Sequence, residues 1–228
     1  MKVRETMTEQ LSTIAIIGGT GAEGSGIAVR LAHAGYRVIL GSRDRAKGEA
    51  VAKELNDIAG QALIRSDANE IAAKAAEIVV LTVPYAAQLA TIETLRAALQ
   101  GKILIDATVP LMPPKVSVVQ LPGGESAVLK AQALLGPEVR VVSAFQNVSA
   151  HKLRDLKEDV DCDVLVCADD PAARASVIEI VQRIGLRGID AGVLCNSVAA
   201  EALTSILINI NRKYKAHGAG IRITGLDA

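Results

Sequence analysis

A chain of 228 residues, half of them hydrophobic, is long enough for one large domain with a substantial buried core. Its 25 basic and 25 acidic side chains leave no net charge, which argues against nucleic acid or an anionic membrane as a partner. With no Trp, one Phe and three Tyr, the chain also lacks aromatic platforms for stacked nucleic-acid bases, so the expected partner is a small molecule.

The segment before the first predicted strand, residues 1–12, is predicted to be a flexible N-terminus. It lacks the apolar stretch of a signal peptide, and no run in the chain reaches the roughly eighteen apolar residues that cross a bilayer. These features favour a cytoplasmic protein. The three cysteines, Cys162, Cys167 and Cys195, form no CxxC pair, and we expect them to be reduced and buried in the core.

Short apolar runs rich in Ile and Val alternate with segments of helical period along the chain. This alternation is typical of a mainly parallel sheet covered by helices on both faces, and it predicts an α/β, Rossmann-like doubly wound fold. The predicted strands are residues 13–17, 37–40, 62–65, 78–82, 103–106, 139–144 and 164–167. The predicted helices are residues 24–34, 45–55, 68–75, 86–99, 125–134 and 171–184.

Two further stretches differ from this alternation. Residues 107–124 contain four prolines after a strand end, which predicts a rigid loop without regular structure. Residues 196–216 have the period of a long helix, and we expect this helix both to pack on its own sheet and to join two subunits as a homodimer. Its apolar stripe consists of Leu203, Ile206, Leu207 and Ile210.

A glycine-rich turn follows the first predicted strand and opens the first predicted helix. Gly19, Gly21 and Gly24 give the pattern G-x-G-x-x-G, in the strand-turn-helix context that dinucleotide-binding folds require. The glycines allow a tight turn, a close approach of the pyrophosphate and close packing of helix on strand. The phosphates would lie at the positive end of the helix that begins near Ala22.

The end of the second predicted strand indicates which dinucleotide is bound. An NAD site usually has Asp or Glu there to bind the ribose 2'-hydroxyl, whereas this chain has Ser42 and Arg43, with Lys47 one helical turn beyond. A hydroxyl, a guanidinium and an ammonium group favour the 2'-phosphate of NADP. Asp44 follows Arg43 and can instead cap the next helix.

The fourth predicted strand ends in Val83, Pro84 and Tyr85, at the carboxyl edge where ligands of open α/β folds bind. These residues, and Leu89 one turn into the next helix, are expected to face the ribose and nicotinamide half of the cofactor. No residue in this region is a strong candidate for a general base, since Tyr85 has no Lys four residues later. We therefore assign no catalytic residue and expect hydride transfer between two bound redox cofactors.

Several segments, in this order and spacing, resemble the NADPH-dependent reductases of the deazaflavin coenzyme F420. They are IAIIGGTGAEGSGIAVRLAHAGYRVILGSR, VVLTVPY, VVSAFQNVSA, VLVCADD and GIDAGVLCNSVAAEALTSILINI. The likeness covers nearly all of residues 13–223. It differs from the family's best-known members at Gln146, where they have His, and at Tyr85, where they have Trp.

The resemblance implies a two-cofactor site. NADP would lie along Thr20, Gly21, Ala22 and Glu23, with its 2'-phosphate at Ser42, Arg43 and Lys47. Val83, Pro84, Tyr85 and Leu89 would flank the nicotinamide half, with Ala150 nearby. The deazaflavin would stack on the nicotinamide under Gln146, Asn147 and residues 218–223.

These expectations combine into one prediction of domains and function. Residues 13–192 form an NADP-binding Rossmann-type domain, and residues 193–228 form a helical segment and tail that close the second-cofactor site, the subunit interface or both. The predicted activity is hydride transfer between NADP(H) and coenzyme F420, with no metal. Two alternatives stay open: an NADPH-dependent reductase of a flavin or a small imine or carbonyl compound, and a non-catalytic NADP(H) sensor.

Overall fold

The computed structural model describes residues 11–226, so nearly all of the predicted flexible N-terminus lies outside the described residues. The strands are β1 (Thr13–Ile17), β2 (Arg37–Ser42), β3 (Ile64–Ala68), β4 (Ile78–Leu81), β5 (Ile103–Asp106), β6 (Arg140–Ser143), β7 (Asp163–Val166) and β8 (Arg187–Asp190). The helices are α1 (Ala22–His33), α2 (Arg45–Ala59), α3 (Asn69–Ala75), α4 (Tyr85–Leu99), α5 (Ala127–Leu135), α6 (Ala150–Arg154), α7 (Pro171–Arg183) and α8 (Ser197–Tyr214).

Six strands form one parallel sheet in the order β3-β2-β1-β4-β5-β6. This is the order of the doubly wound dinucleotide-binding fold, with its crevice between β1 and β4, where the strand order reverses. The predicted fold class is confirmed. Among the described residues, no helix is long and apolar enough to span a membrane.

The core lies on both faces of the sheet. Along β1, Ile14 and Ile16 join the cluster under α1, α2 and α7, whereas Ala15 and Ile17 join the cluster under α3, α4 and α5. Because neighbouring side chains of a strand point to opposite faces, a strand buried on both sides must be apolar throughout. This is why the sequence shows continuous Ile and Val runs.

Two elements were absent from the prediction. The parallel strand β8 pairs with β7 in a separate two-stranded sheet, joined to β6 by an antiparallel bridge between Ser143 and Cys167. Its sequence, RGID, contains one large apolar residue, and none of its four positions is fully buried, so no apolar run identifies it. Helix α6 has five residues, which is too short to show helical periodicity.

The C-terminal helix packs through a different face from the one predicted. Its buried residues are Ser197, Ala200, Glu201, Ser205 and Leu207. Of the predicted apolar stripe, only Leu207 is buried, and Ile206 is 44% exposed. Helix α8 therefore docks on its own chain mainly through small and polar side chains, which periodicity of apolar residues does not detect.

The structure also bears on the predicted loop and on the predicted burial of the three cysteines. The proline-rich residues 107–124 form a loop whose regular structure is limited to a 3-10 turn at Pro122–Gly124. Cys162 and Cys167 are free and buried as expected, but Cys195 is exposed at the start of α8, which corrects the expectation for that thiol.

Candidate functional site

The turn after β1 is packed too tightly for side chains. A Cβ on Gly24 would lie 2.6 Å from Thr82 Oγ1 and 2.7 Å from the Gly18 carbonyl oxygen, and one on Gly19 would lie 2.8 Å from Leu40 Cδ2. Gly18 also has a φ of +88°, which favours glycine. The glycines thus hold the start of α1 directly against the ends of β1 and β4.

Helix α1 begins without a side-chain cap. Its N-cap residue, Gly21, is extended and donates its N–H to the Gly18 carbonyl oxygen at 2.9 Å. The N–H groups of a first helical turn have no acceptor within the helix, and with glycine at the cap no side chain covers them. Thr20, Gly21, Ala22 and Glu23 therefore form an uncapped helix end suited to an anion.

Glu23 is the acidic residue of this helix end. Its Oε1 atom is buried and has no hydrogen-bond partner among the described residues, and desolvation by burial raises the pKa of the carboxyl to about 8. At neutral pH the group is therefore mostly protonated. A neutral Glu23 keeps a negative charge away from the helix end that would receive a diphosphate.

A cleft of about 240 Å³ opens at the carboxyl ends of β1, β2 and β4. It is lined by Gly18, Thr20, Gly21, Gly41, Ser42, Arg43, Asn69, Thr82, Val83, Pro84, Ala87 and Thr91. Six of the predicted cofactor residues therefore share one cleft at the edge that ligands of this fold use. A larger cavity of about 380 Å³ lies at the amino ends of the strands, on the opposite edge.

Two cations lie between the end of β2 and the first turn of α2: Arg43 lines this cleft, and Lys47 does not. Arg43 and Lys47 are exposed, and neither side chain makes an ion pair or hydrogen bond within residues 11–226. The Asp44 carboxylate accepts the backbone N–H of Lys47 at 3.0 Å and caps α2, as the sequence suggested it could. The Ser42 hydroxyl donates to the Asp44 carbonyl oxygen at 2.7 Å, so it shapes the turn that presents Arg43.

The side of the cleft predicted to face the nicotinamide is mainly aliphatic. Val83 and Pro84 line it, followed on α4 by Ala87 and Thr91, which the sequence analysis missed. Positions 87 and 91 are four residues apart and share a helix face. Leu89 is 41% exposed and is not among the residues that line the cleft, so its contact with a cofactor stays a prediction. Tyr85 is half-buried at the first turn of α4.

The predicted second-cofactor residues lie outside this cleft and are tied to α8. Gln146 and Asn147 are both 5% exposed. The Gln146 side-chain amide donates to the Asp106 carbonyl oxygen at 2.7 Å, and that of Asn147 donates to the Ala200 carbonyl oxygen at 2.7 Å. The Thr204 hydroxyl donates to the Gln146 carbonyl oxygen at 2.7 Å. The loop after β6 is therefore fixed by the C-terminal helix.

The same loop carries backbone strain and leads into α6. Phe145 is buried with a φ of 77°, a conformation that bulky residues rarely adopt outside functional segments. Ala150 begins α6, and its carbonyl oxygen would lie 3.1 Å from a Cβ on Gly26. The glycine thus lets α6, and with it Ala150, approach the helix that starts at the glycine turn.

A buried acid lies behind α4, at the end of β5. Asp106 is fully buried, accepts the Gln88 amide at 2.6 Å and the Thr108 backbone N–H at 2.9 Å, and has its pKa raised by desolvation. The Gln88 amide also donates to the Ala127 carbonyl oxygen at 3.1 Å. These contacts join β5, α4 and α5, and they leave Asp106 no exposure to a ligand in the cleft.

Comparison with known proteins gives results consistent with this geometry. Residues 13–110 match the family model described as NADP oxidoreductase, coenzyme F420-dependent. The F420-dependent NADP reductase of Methanocaldococcus jannaschii is 43% identical, over 94% of this chain and 99% of that protein. The F420-dependent NADP reductase of Methanothermobacter marburgensis is 42% identical, over 93% of this chain and 98% of that protein.

A solved structure shows the same architecture. The crystal structure of a candidate F420-dependent NADP reductase from Arthrobacter sp. FB24 superposes with a TM-score of 0.80 at 27% identity. The superposition covers 94% of this chain and all of that one. The likeness therefore extends from the glycine turn through the C-terminal helix.

Proposed function

The chain belongs to the family of F420-dependent NADP reductases, and we propose that it transfers a hydride between NADP(H) and coenzyme F420. The observation that carries the proposal is the cleft in which the uncapped helix end of Gly21 meets the exposed Arg43, whose side chain has no partner among the described residues. In the F420-dependent reaction, the two cofactors supply the redox chemistry, with the hydride moving between nicotinamide C4 and deazaflavin C5.

The residues around the cleft are suited to NADP(H). The close contacts of Gly19 and Gly24 leave room for backbone only, so a diphosphate can approach the first turn of α1. Arg43 and Lys47 supply uncommitted positive charge for a 2'-phosphate. Val83 and Pro84 supply an aliphatic wall for the nicotinamide half.

The protein's part in the reaction is to hold and orient the two cofactors. The Gln146 side-chain amide nitrogen is hydrogen-bonded to β5 and the Gln146 carbonyl oxygen to α8, and we take this loop to form a rigid wall for the second cofactor. A rigid loop suits a reaction whose rate depends on the distance and relative orientation of two bound molecules. Gln146 and Asn147 are proposed to hold the deazaflavin, together with residues 218–223.

The test is an acceptor screen with the purified protein and NADPH. We expect oxidised F420 to lose its visible absorbance at a rate far above those with FMN or a cyclic imine. The reverse reaction, with reduced F420 and NADP⁺, should also proceed, because hydride transfer between cofactors is reversible. Faster NADPH oxidation with FMN or the imine, or binding of NADPH without turnover of any acceptor, would contradict the proposal.

We further propose that two copies associate through α8. The helix docks on its own chain by its polar face, which leaves Leu203, Ile206 and Ile210 at least partly exposed on another face. A stripe of apolar side chains on one helix face is typical of a surface that packs against a partner.

A further inference from the structure

Asn69 lies in the cofactor cleft, although no sequence motif identifies it. It is the first residue of α3 and directly follows β3, whose end pairs with the end of β2 through Gly41 with Asp67 and Ser42 with Ala68. Asn69 lines the same cleft as Ser42 and Arg43. Its position is therefore beside the strand end that receives the adenosine ribose in this fold.

The Asn69 side chain has no hydrogen-bond partner among residues 11–226. Its Oδ1 atom is buried without a hydrogen bond, and its amide nitrogen donates to no acceptor within the described part of the chain. A buried amide oxygen without a partner is uncommon and is destabilising. It is explained most simply if a ligand completes the bonding of the amide.

The neighbouring backbone makes room for this side chain. A Cβ on Gly41 would lie 2.7 Å from Asn69 Oδ1 and 2.7 Å from Ile17 Cδ1, so only glycine at the end of β2 allows Asn69 to lie against it. Asn69 is also not used to start its helix, because the N-cap position belongs to Ala68. Local structure thus gives no reason for an amide here.

We propose that Asn69 is a further cofactor-binding residue that hydrogen-bonds the adenosine ribose of NADP(H); this rests on the proposed function. A carboxamide both donates and accepts, as a ribose hydroxyl does. It also carries no charge, so it does not repel the 2'-phosphate that Arg43 and Lys47 attract. An aspartate of similar shape at the same position would repel that phosphate.

The experiment measures binding of cofactor fragments to the full chain by isothermal titration calorimetry. The probes are NADP⁺ and adenosine 2',5'-bisphosphate, which carries the adenosine ribose but no nicotinamide. Asn69→Ala should weaken both by the same factor, about three- to tenfold, as expected for a neutral hydrogen bond. Asn69→Asp should weaken both more, because its carboxylate would repel the 2'-phosphate that both probes carry.

Glu70→Ala is the matched control, since Glu70 is the next residue of α3 and its exposed carboxylate pairs with Lys74. It should bind both probes as the unsubstituted protein does. Unchanged fragment affinity in Asn69→Ala, or a loss confined to NADP⁺, overturns this inference alone. Failure of the unsubstituted protein to bind adenosine 2',5'-bisphosphate or NADP⁺ overturns the proposed function as well.

Discussion

At the scale of single residues, charge and burial around the glycine turn decide what the cleft can bind. Arg43 and Lys47 are exposed cations that have no partner among the described residues, whereas the neighbouring Arg45 is paired with Glu49 at 2.8 Å on the surface of α2. Unpaired cations at the end of β2 favour a ligand with an extra phosphate. The first prediction concerns that preference.

Replacing Arg43 by Ala should weaken NADPH binding about ten- to a hundredfold and leave NADH binding nearly unchanged. A hydrogen bond to a charged group contributes about 1.5 to 3 kcal/mol, and only NADPH has the 2'-phosphate. Dissociation constants from nucleotide fluorescence check this. Lys53→Ala, which removes an exposed cation farther along α2, is the control and should change neither constant; an equal loss for both nucleotides would show that Arg43 does not contact that phosphate.

Glu23 predicts a pH dependence of stability. Burial raises the carboxyl pKa from 4.5 to about 8 in the folded protein, so the folded state keeps a proton that the unfolded chain releases between those values. This contribution is fully present below about pH 4.5 and is lost as the pH rises towards 8. Glu23→Gln is neutral at every pH and should remove the loss.

Urea unfolding of both proteins between pH 5 and pH 9 measures the effect. The free energy of unfolding of Glu23→Gln should gain on that of the unsubstituted protein as the pH rises to about 8, and the difference should then stay constant. Parallel profiles across this range would mean that Glu23 ionises in the folded protein as it does in the unfolded chain.

At the scale of elements, α8 is held to the start of α5 by the buried side chain of Glu201. Glu201 is 1% exposed, and its two oxygens accept the backbone N–H groups of Ala127 at 2.8 Å and Val128 at 3.2 Å, at the start of α5. Burial raises the pKa of Glu201, and these bonds partly oppose the rise. Ser126 and Ser197 add a hydroxyl pair at 2.9 Å. One polar contact thus caps α5 and positions α8.

Glu201→Ala should lower the free energy of unfolding by about 2 to 3 kcal/mol, because two buried helix N–H groups lose their acceptor. Ser197→Ala removes only a neutral hydroxyl contact and should lower it by about 1 kcal/mol. Urea denaturation with both variants checks the order. Equal losses would indicate that the carboxylate adds nothing beyond the packing of α8.

At the scale of the whole molecule, the C-terminal helix has two faces with different surroundings. Its polar face fixes the Gln146 loop and α5 within one chain, while Leu203, Ile206 and Ile210 are at least partly exposed on another face, the one proposed to associate with a second copy. A change that alters association without altering the fold should therefore be possible on the second face.

Ile206→Glu should convert a dimer into a monomer, since Ile206 is 44% exposed at the centre of the apolar face and a charge there would be desolvated at the interface. Ile58→Glu is the control, because Ile58 on α2 is 40% exposed and lies outside that face. Sedimentation velocity distinguishes the outcomes. A monomeric unsubstituted protein, or a dimer that survives Ile206→Glu, would contradict association through α8.

The length of the apolar pattern in each element explains which elements the sequence predicted and which it did not. Strands β1 and β5 begin and end as predicted, because strands buried on both faces need uninterrupted apolar runs. Strand β8 and helix α6 were missed because neither contains a long enough pattern. Asn69 was missed for another reason: it follows a predicted strand end, the signal that could have found it, but no motif includes it.

The sequence by itself determined the doubly wound fold, the glycine turn and the preference for a 2'-phosphate, because local residue types and their spacing specify all three. Only the tertiary structure decided which residues share the cleft, which face of α8 is buried and that Asn69 lacks a partner. Those properties depend on contacts between residues far apart in the chain, such as Gln146 with Asp106. The period of apolar residues predicts each helix or strand separately. Whether a polar group has a hydrogen-bond partner or is available to a ligand depends on how the elements pack against each other.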